Sequence, residues 1–376
     1  MTTLSAKELI QLLLVALAVI GVVSVGSYNI LPSNVIFELL FLFTVLGTSY
    51  RAQPSHILLG LVVMCYLIAL VLKGIMLNGV DPRDFLTANK FLIYFSILLW
   101  LKPSKEVGKI DIEKLYNLLL ALFLIKYLYS VITGLDTRPG IYTENNYELI
   151  FLLILFVARH FYMGSSSLLI IAITGFVFFL SGSRSSFAAL LAVLFLLNSG
   201  KLNAKKMVFY LVFFLMALGF AYVFMARLGG GGLEDIDRFK FLLAFYQQIE
   251  DWNYLNWLFG TPVLTPLDNG VCGILSFYQS LFSHTGNGTC YSVIFHSYIL
   301  RVLFDHGVII LLATFYITYA LLKASGFPAK GSRVIVLIVF MSALSVSSLN
   351  NAYTILGIWF AMSVGANIRN RSKNEH

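Results

Sequence analysis

The sequence predicts an all-α integral membrane protein with about twelve transmembrane helices and one large extracytoplasmic loop. Composition sets the class: 59% of the residues are hydrophobic and 12% charged, with a mean hydropathy of +0.85. Apolar runs of about 20 residues, the length that crosses a bilayer as a helix, recur along the whole chain and exclude a soluble domain. The third observation is the placement of Lys and Arg, which is dense in alternate connecting segments and sparse in the others. In a soluble protein the net charge of +8 would suggest nucleic acid. Here the loops account for it, so the expected surroundings are a lipid bilayer and no nucleic-acid partner.

Helices are expected near residues 8–27, 33–50, 55–78, 84–101, 113–134, 146–163, 166–182, 185–199, 204–226, 307–323, 333–348 and 352–368. The first follows Lys7 and lacks a small-residue cleavage site, so it reads as a retained helix. Arg51 separates the second from the third, and Asp81-Pro82-Arg83-Asp84 the third from the fourth. Lys102, Lys105, Lys109 and Lys114 fall before or at the start of the fifth. The Pro and Gly of the stretch from Thr137 to Asn146 bend the chain back into the sixth. Arg159 lies near the sixth helix's end, and Ser181 to Ser186 connects the seventh to the eighth. Lys201, Lys205 and Lys206 follow the eighth, a long polar segment follows the ninth, and Lys323, Lys330 and Arg333 precede the eleventh. Arg369, Arg371 and Lys373 follow the last.

With the N-terminus inside, the cytoplasmic segments collect these lysines and arginines, and the opposite ones hold only Arg83, Arg138, Arg184, Arg227, Arg238 and Lys240, with Arg301 at their edge. Short loops rich in Lys and Arg stay in the cytoplasm, so both termini are expected there. The chain reads as a single polytopic membrane domain, 1–376, whose large loop, 227–291, lies outside. Topology asks for none of the outer arginines. Within the helices, Lys73, Lys90, Lys126, Glu38 and Glu148 read as side chains that snorkel to the headgroups, and the regularly spaced Tyr and Phe as packing or interface residues.

The outer loop opens on Gly229-Gly230-Gly231-Gly232, a hinge, and continues through Glu234-Asp235-Ile236-Asp237-Arg238 into an amphipathic helix to about Asp251. Trp257 to Pro262 reads as an aromatic turn. Three cysteines are too few for a disulfide framework, but Cys272 and Cys290 share the oxidising side and are expected to pair. Cys65 reads as a small core residue. The stretch from His296 to Leu312 returns this loop to the bilayer. There Arg301 and Asp305, four apart, form an interfacial ion pair on one reading. On a sharper one, His296 faces a polar cavity and handles protons. Helix-end electrostatics accounts for His306. At Arg184, small hydroxyls surround one guanidinium whose planar fork suits two phosphate oxygens; a turn with a snorkelling arginine is the plainer alternative.

The order of Arg138, Gly140, Asn145 and Asn146, then the Ser-x-Ser-Arg-Ser turn from Ser181 to Ser185, an early loop arginine (Arg238), Leu-Phe-Gly-Thr from Leu258 to Thr261, and His-Ser-Tyr-x-Leu followed by Asp-His-Gly from His296 to Gly307, resembles the O-antigen polymerase and O-antigen ligase superfamily. The resemblance covers roughly residues 130–325. It implies a GT-C-like glycosyltransferase of the bacterial inner membrane, active on the periplasmic side, that takes glycans from undecaprenyl pyrophosphate. It also implies a chain-length regulator and a flippase as protein partners, and no cofactor or metal. By motif, Arg184 and Arg238 hold the pyrophosphate, Arg138 and Arg301 add to substrate binding, and His296 serves the acceptor hydroxyl. The turn from Ser348 to Asn351 departs from the ligase pattern in having no acidic residue.

A polymerase joining repeat units is the first expectation, and a ligase moving finished glycan to lipid A core is the alternative. Two other classes stay open: a lipid-linked oligosaccharide flippase, and a metal-dependent transferase using Asp81 and Asp84 or Asp235 and Asp237. Against the flippase stands the absence of an internal repeat, and against the metal the weakness of Asp-x-Asp as a motif.

Overall fold

The computed structural model describes residues 6–24, 29–51, 54–103, 111–134, 138–198 and 237–374, with short helical stretches between 207 and 219. The helices are α1 (Ala6–Val23), α2 (Ser33–Thr48), α3 (Pro54–Val71, prolonged by a π-helical turn, Leu72–Leu77), α4 (Pro82–Trp100), α5 (Ile112–Thr133), α6 (Asn145–Met163) and α7 (Leu168–Leu180). They continue as α8 (Arg184–Asn198), α9 (Asp237–Gln248), α10 (Tyr254–Phe259), α11 (Asn269–Ile274), α12 (Tyr298–Ser325), α13 (Ala329–Ala343) and α14 (Ala352–Asn374). Among the described residues, four stretches, His56–Leu77, Ile112–Thr133, Asn145–Met163 and Tyr298–Ser325, are long and apolar enough to cross a membrane, accompanied by shorter apolar helices such as Ser33–Gly47. The chain is a helical membrane protein. Most of the expected helix at 204–226, the glycines Gly229 to Gly232, and Lys105, Lys109, Lys201, Lys205, Lys206, Arg227 and Glu234 to Ile236 lie outside the described residues.

Helix ends follow local chemistry. Asp81 caps α4 by accepting the Arg83 N–H, with Pro82 in the first turn, where its missing N–H costs nothing. Gly134 ends α5 in the left-handed conformation. A two-stranded antiparallel pairing, with Tyr50 opposite Lys102 and Arg51 opposite Leu101, joins the ends of α2 and α4.

The core is organised around α6 and α14. Every residue from Leu149 to Arg159 is buried, as is every residue from Ala352 to Ala366. Helices this apolar on all sides need neighbours all round, and each supplies part of the other's. At the periphery α3 leaves Leu58, Leu61, Val62 and Ile68 exposed, a face suited to lipid. Cys65 lies on that exposed side and is not a core residue. A thiol is compatible with hydrocarbon, so apolarity alone could not distinguish core from lipid.

Three sequence readings change. The helix expected from residue 307 starts nine residues earlier, at Tyr298, and is broken at Gly307, where φ is 75° and ψ 178°. Consequently His306 sits beside an interior break, with 3% exposure, and its Nδ1 meets the Tyr66 hydroxyl at 2.8 Å. Helix-end electrostatics does not account for it. Second, Arg301 and Asp305 form no ion pair: the arginine turns to Ser347 and Thr87, and Asp305 accepts from Ser292. Third, four of the intramembrane charges do not snorkel. Glu148 accepts from the Tyr142 N–H (2.7 Å), the Ile141 N–H (2.9 Å) and the Tyr127 hydroxyl (2.9 Å). Lys126 donates to the Ser24 carbonyl, and Lys90 pairs with Glu38 at 2.8 Å. At bilayer depth a partner inside the bundle relieves the charge where a long reach to water would otherwise be needed.

Above α4 and α12 the outer segment builds a small core of its own. Phe241, Phe245, Leu267, Val271, Leu275, Phe295 and Phe304 pack together, with Cys290 among them. The expected amphipathic helix is α9, and the expected aromatic turn is the short α10, capped by Asn253 accepting the N–H groups of Leu255 and Asn256. Cys272 and Cys290 are joined in a disulfide with their Cα atoms 6.1 Å apart. The bridge encloses a segment of separation 18. Cys272→Ser is therefore expected to destabilise the outer segment by roughly 3 kcal/mol, the chain-entropy value for a loop of that size. In native, non-reducing protein a thiol reagent should modify Cys65 alone; labelling of Cys272 and Cys290 would contradict the bridge.

Candidate functional site

A cavity of about 450 Å³ opens where α2, α4 and the first turn of α12 meet the outer segment 281–296 and the turn 347–353. His296 and Arg301 both line it.

Local sequence fixes His296 tightly. It closes a 3-10 turn, Ser292–Phe295, in the left-handed conformation with φ 53°, and Ser297 then caps α12 by accepting the Leu300 N–H. Ser297 also donates to the Ala343 carbonyl at 3.0 Å, and Ser292 donates to Asp305 on the far side of the turn. The ring packs against Tyr278, 5.0 Å between centroids, and Phe241, 5.5 Å. A non-glycine residue held at positive φ by so many neighbours is a feature that concentrates at functional sites.

One turn into α12, Arg301 is 4% exposed. Its guanidinium donates to Ser347 Oγ at 2.8 Å and to the Thr87 carbonyl at 2.9 Å. Two of the five guanidinium N–H donors are thereby anchored, and Arg301 lines the cavity. Ser347 belongs to the polar turn after α13, where Ser348 has φ 22° and bonds Ser342 Oγ and the Val339 carbonyl. Asn350 ties the same turn to α4 by accepting the Phe91 N–H and donating to the Thr87 carbonyl.

Two carboxylates line the same cavity. Asp84 accepts from the Ser283 hydroxyl at 2.5 Å and the His284 N–H at 3.0 Å, which fastens the outer segment over α4. Glu38 accepts from Lys90 Nζ at 2.8 Å and the Tyr94 hydroxyl at 2.6 Å. Burial, then the negative charges of Asp84 and Asp81, push the Tyr291 hydroxyl above its ordinary value, so that it stays a neutral donor at the rim. Asp81 itself pairs with Arg83, whose side-chain and backbone hydrogen bonds hold it below the usual carboxylate range. Among the described residues no group of three His, Cys, Asp or Glu side chains could hold a metal ion.

The other arginines stand elsewhere. Arg238 is an exposed residue at the start of α9, three positions before the Phe241 that touches His296. Arg184 begins α8, half-buried, on a turn docked to the preceding outer loop: Asn145 donates to the Ser181 carbonyl at 2.8 Å and Ser183 to Asn146 Oδ1 at 2.6 Å. Arg138 is exposed in that loop, which Glu148 gathers through its backbone N–H groups. Arg138, Arg184 and Arg238 do not line the cavity. Of the residues singled out by sequence, the structure therefore brings together His296 and Arg301.

Sequence reasoning missed Asp84, Glu38, Lys90 and the amides Asn34, Asn350 and Asn351 as parts of one surface. A signal was present: Asn34 and Glu38, like Lys90 and Tyr94, are four apart and so share one helical face, polar within otherwise apolar runs. What the arrangement can do follows from its groups. An imidazole and a guanidinium face a concave space that also offers carboxylate, ammonium, amide and phenol groups. Such a space suits a large hydroxylated ligand that carries a negative group, and can move a proton beside it. No family model matches this chain, and no curated protein matches it.

Proposed function

We propose that the chain is a GT-C-like membrane glycosyltransferase, a polymerase of O-antigen or a related surface polysaccharide, which moves a glycan from undecaprenyl pyrophosphate to a lipid-linked repeat unit. In this reading about twelve helices span the bacterial inner membrane, both termini are cytoplasmic, and the cavity opens to the periplasm. The observation that carries it is the shared cavity of His296 and Arg301 beneath the outer segment. His296 takes the proton of the acceptor hydroxyl as its oxygen attacks the anomeric carbon. The bond from that carbon to the phosphate oxygen breaks, and charge builds on the pyrophosphate as it leaves. Arg301, fixed by Ser347 and Thr87, stabilises that charge with donors already in place. Arg238, on the helix that packs against His296, is the next arginine to reach the lipid phosphate; Arg184 and Arg138 serve farther out. A chain-length regulator and a flippase are the protein partners this activity calls for.

The test is reconstitution into vesicles with lipid-linked repeat units supplied only on the outer face. A ladder of lipid-linked polymer is expected, without nucleotide. Movement of unchanged repeat units across the bilayer would instead identify a flippase, and transfer only of preformed polymer to a lipid A core would identify a ligase.

A further inference from the structure

The Glu38–Lys90 pair is more than an internal neutralisation of charge. Its two members stand on different helices, α2 and α4, and their side chains are 30% and 37% exposed, into the cavity that both line. A pair that served only to cancel charge within a bundle would be closed over by neighbours, because partial exposure weakens the attraction it contributes. Tyr94 holds the carboxylate from behind, donating to both of its oxygens at 2.6 Å. The front of the pair is left open. Asn34, one turn before Glu38, lines the same wall, and Asn351 has its Oδ1 engaged by the Tyr353 N–H at 2.7 Å, which leaves its amide N–H groups for the cavity.

We propose that Glu38, Lys90, Asn34 and Asn351 form a subsite that binds the hydroxyls of a neutral sugar, the acceptor residue of the repeat unit, in the cavity that His296 also lines. This rests on the function proposed above. Hydroxyls both donate and accept, so a carboxylate beside an ammonium satisfies neighbouring hydroxyls of one pyranose with charge-assisted bonds in both directions. The two charges cancel, so the subsite does not compete with Arg301 for the pyrophosphate. With a neutral sugar held by the ion pair and the anionic leaving group held by Arg301, which reaches the Thr87 carbonyl one turn before Lys90 on α4, the acceptor oxygen is presented to the imidazole that lines the same cavity.

The experiment uses purified full-length protein in nanodiscs and the lipid-linked repeat unit extracted from the membranes of the source cells. Glu38→Gln and Lys90→Met are each expected to raise KM for the lipid-linked acceptor about tenfold while kcat falls far less, the pattern of lost ground-state binding. The double exchange Glu38→Lys with Lys90→Glu restores an ion pair between α2 and α4 but reverses donor and acceptor. It is expected to unfold at the wild-type temperature and still show the raised KM. Recovery of wild-type KM by the exchange, or unchanged KM in both single variants, would overturn the subsite.

A second readout separates this from the catalytic reading. The oligosaccharide released from the same lipid is observed by saturation-transfer NMR against wild type and Glu38→Gln. Binding to wild type that is lost in the variant upholds the subsite even if no polymer is ever made, in which case only the polymerase reading fails. No binding to wild type refutes the subsite even where polymer forms.

Discussion

His296→Ala is expected to stop chain extension, with a loss on the order of 10²- to 10⁴-fold, the usual worth of a positioned acid–base group. The protein should remain folded in the membrane, because Ser292, Ser297 and Asp305 hold the turn without the imidazole. Lipid carrying single repeat units should accumulate in cells, and binding of the lipid-linked donor should persist through Arg301. Electrophoresis of extracted lipid-linked glycans reads the result: single units mark a stalled polymerase, long polymer on the carrier a stalled ligase. Normal polymer would sink the mechanism. His306 is no neutral control for this experiment, since it is buried against Tyr66 and Phe91. Replacing it opens a gap beside the break in α12 and tests packing. His160 is the better comparison, because it is half-buried and does not line the cavity.

Gly307→Ala is expected to cost at least about 3 kcal/mol, combining a glycine-only backbone conformation with a collision in a packed interior. With φ 75° and ψ 178°, Gly307 occupies a region in which L side chains are strained. A Cβ there would also strike the Leu258 carbonyl of α10. The contact is reciprocal: Gly260, with φ 76°, ends α10 against the backbone of His306 and Gly307. The two glycines let a short outer helix dock on the break, and the Thr261 N–H then satisfies the Phe304 carbonyl at 2.8 Å. Gly134→Ala supplies the control. It too has positive φ, 66°, but a Cβ would meet nothing within 4 Å, so only the conformational cost of about 1 kcal/mol applies. Thermal unfolding in detergent should rank Gly307→Ala far below Gly134→Ala; equal, small losses would refute the docking account.

Much of the architecture was legible because hydrophobic runs and turn residues act locally. Runs of apolar residues forecast α5 and α6 nearly to the residue. The same reasoning misread α12, because a helix that begins with Tyr298, carries Arg301, Asp305 and His306, and breaks at Gly307 has no apolar run over its first turns. It misread Cys65 because lipid and protein interior are equally apolar, so hydropathy cannot tell which side of α3 faces which.

By itself the sequence determined the class, the membrane-length helices, and the chemical inventory of a return segment bearing His296 and Arg301. Those are consequences of composition and of spacing along one chain. Only the tertiary structure decided which charges share a space. Arg301 meets Ser347 and Thr87 instead of Asp305, Glu38 meets Lys90 from 52 positions away, and Arg138 and Arg184 stand apart from the cavity. Side-chain partners in a helical bundle are chosen by which helix faces pack together. That choice is made by contacts between distant segments, and no local pattern of residues encodes it.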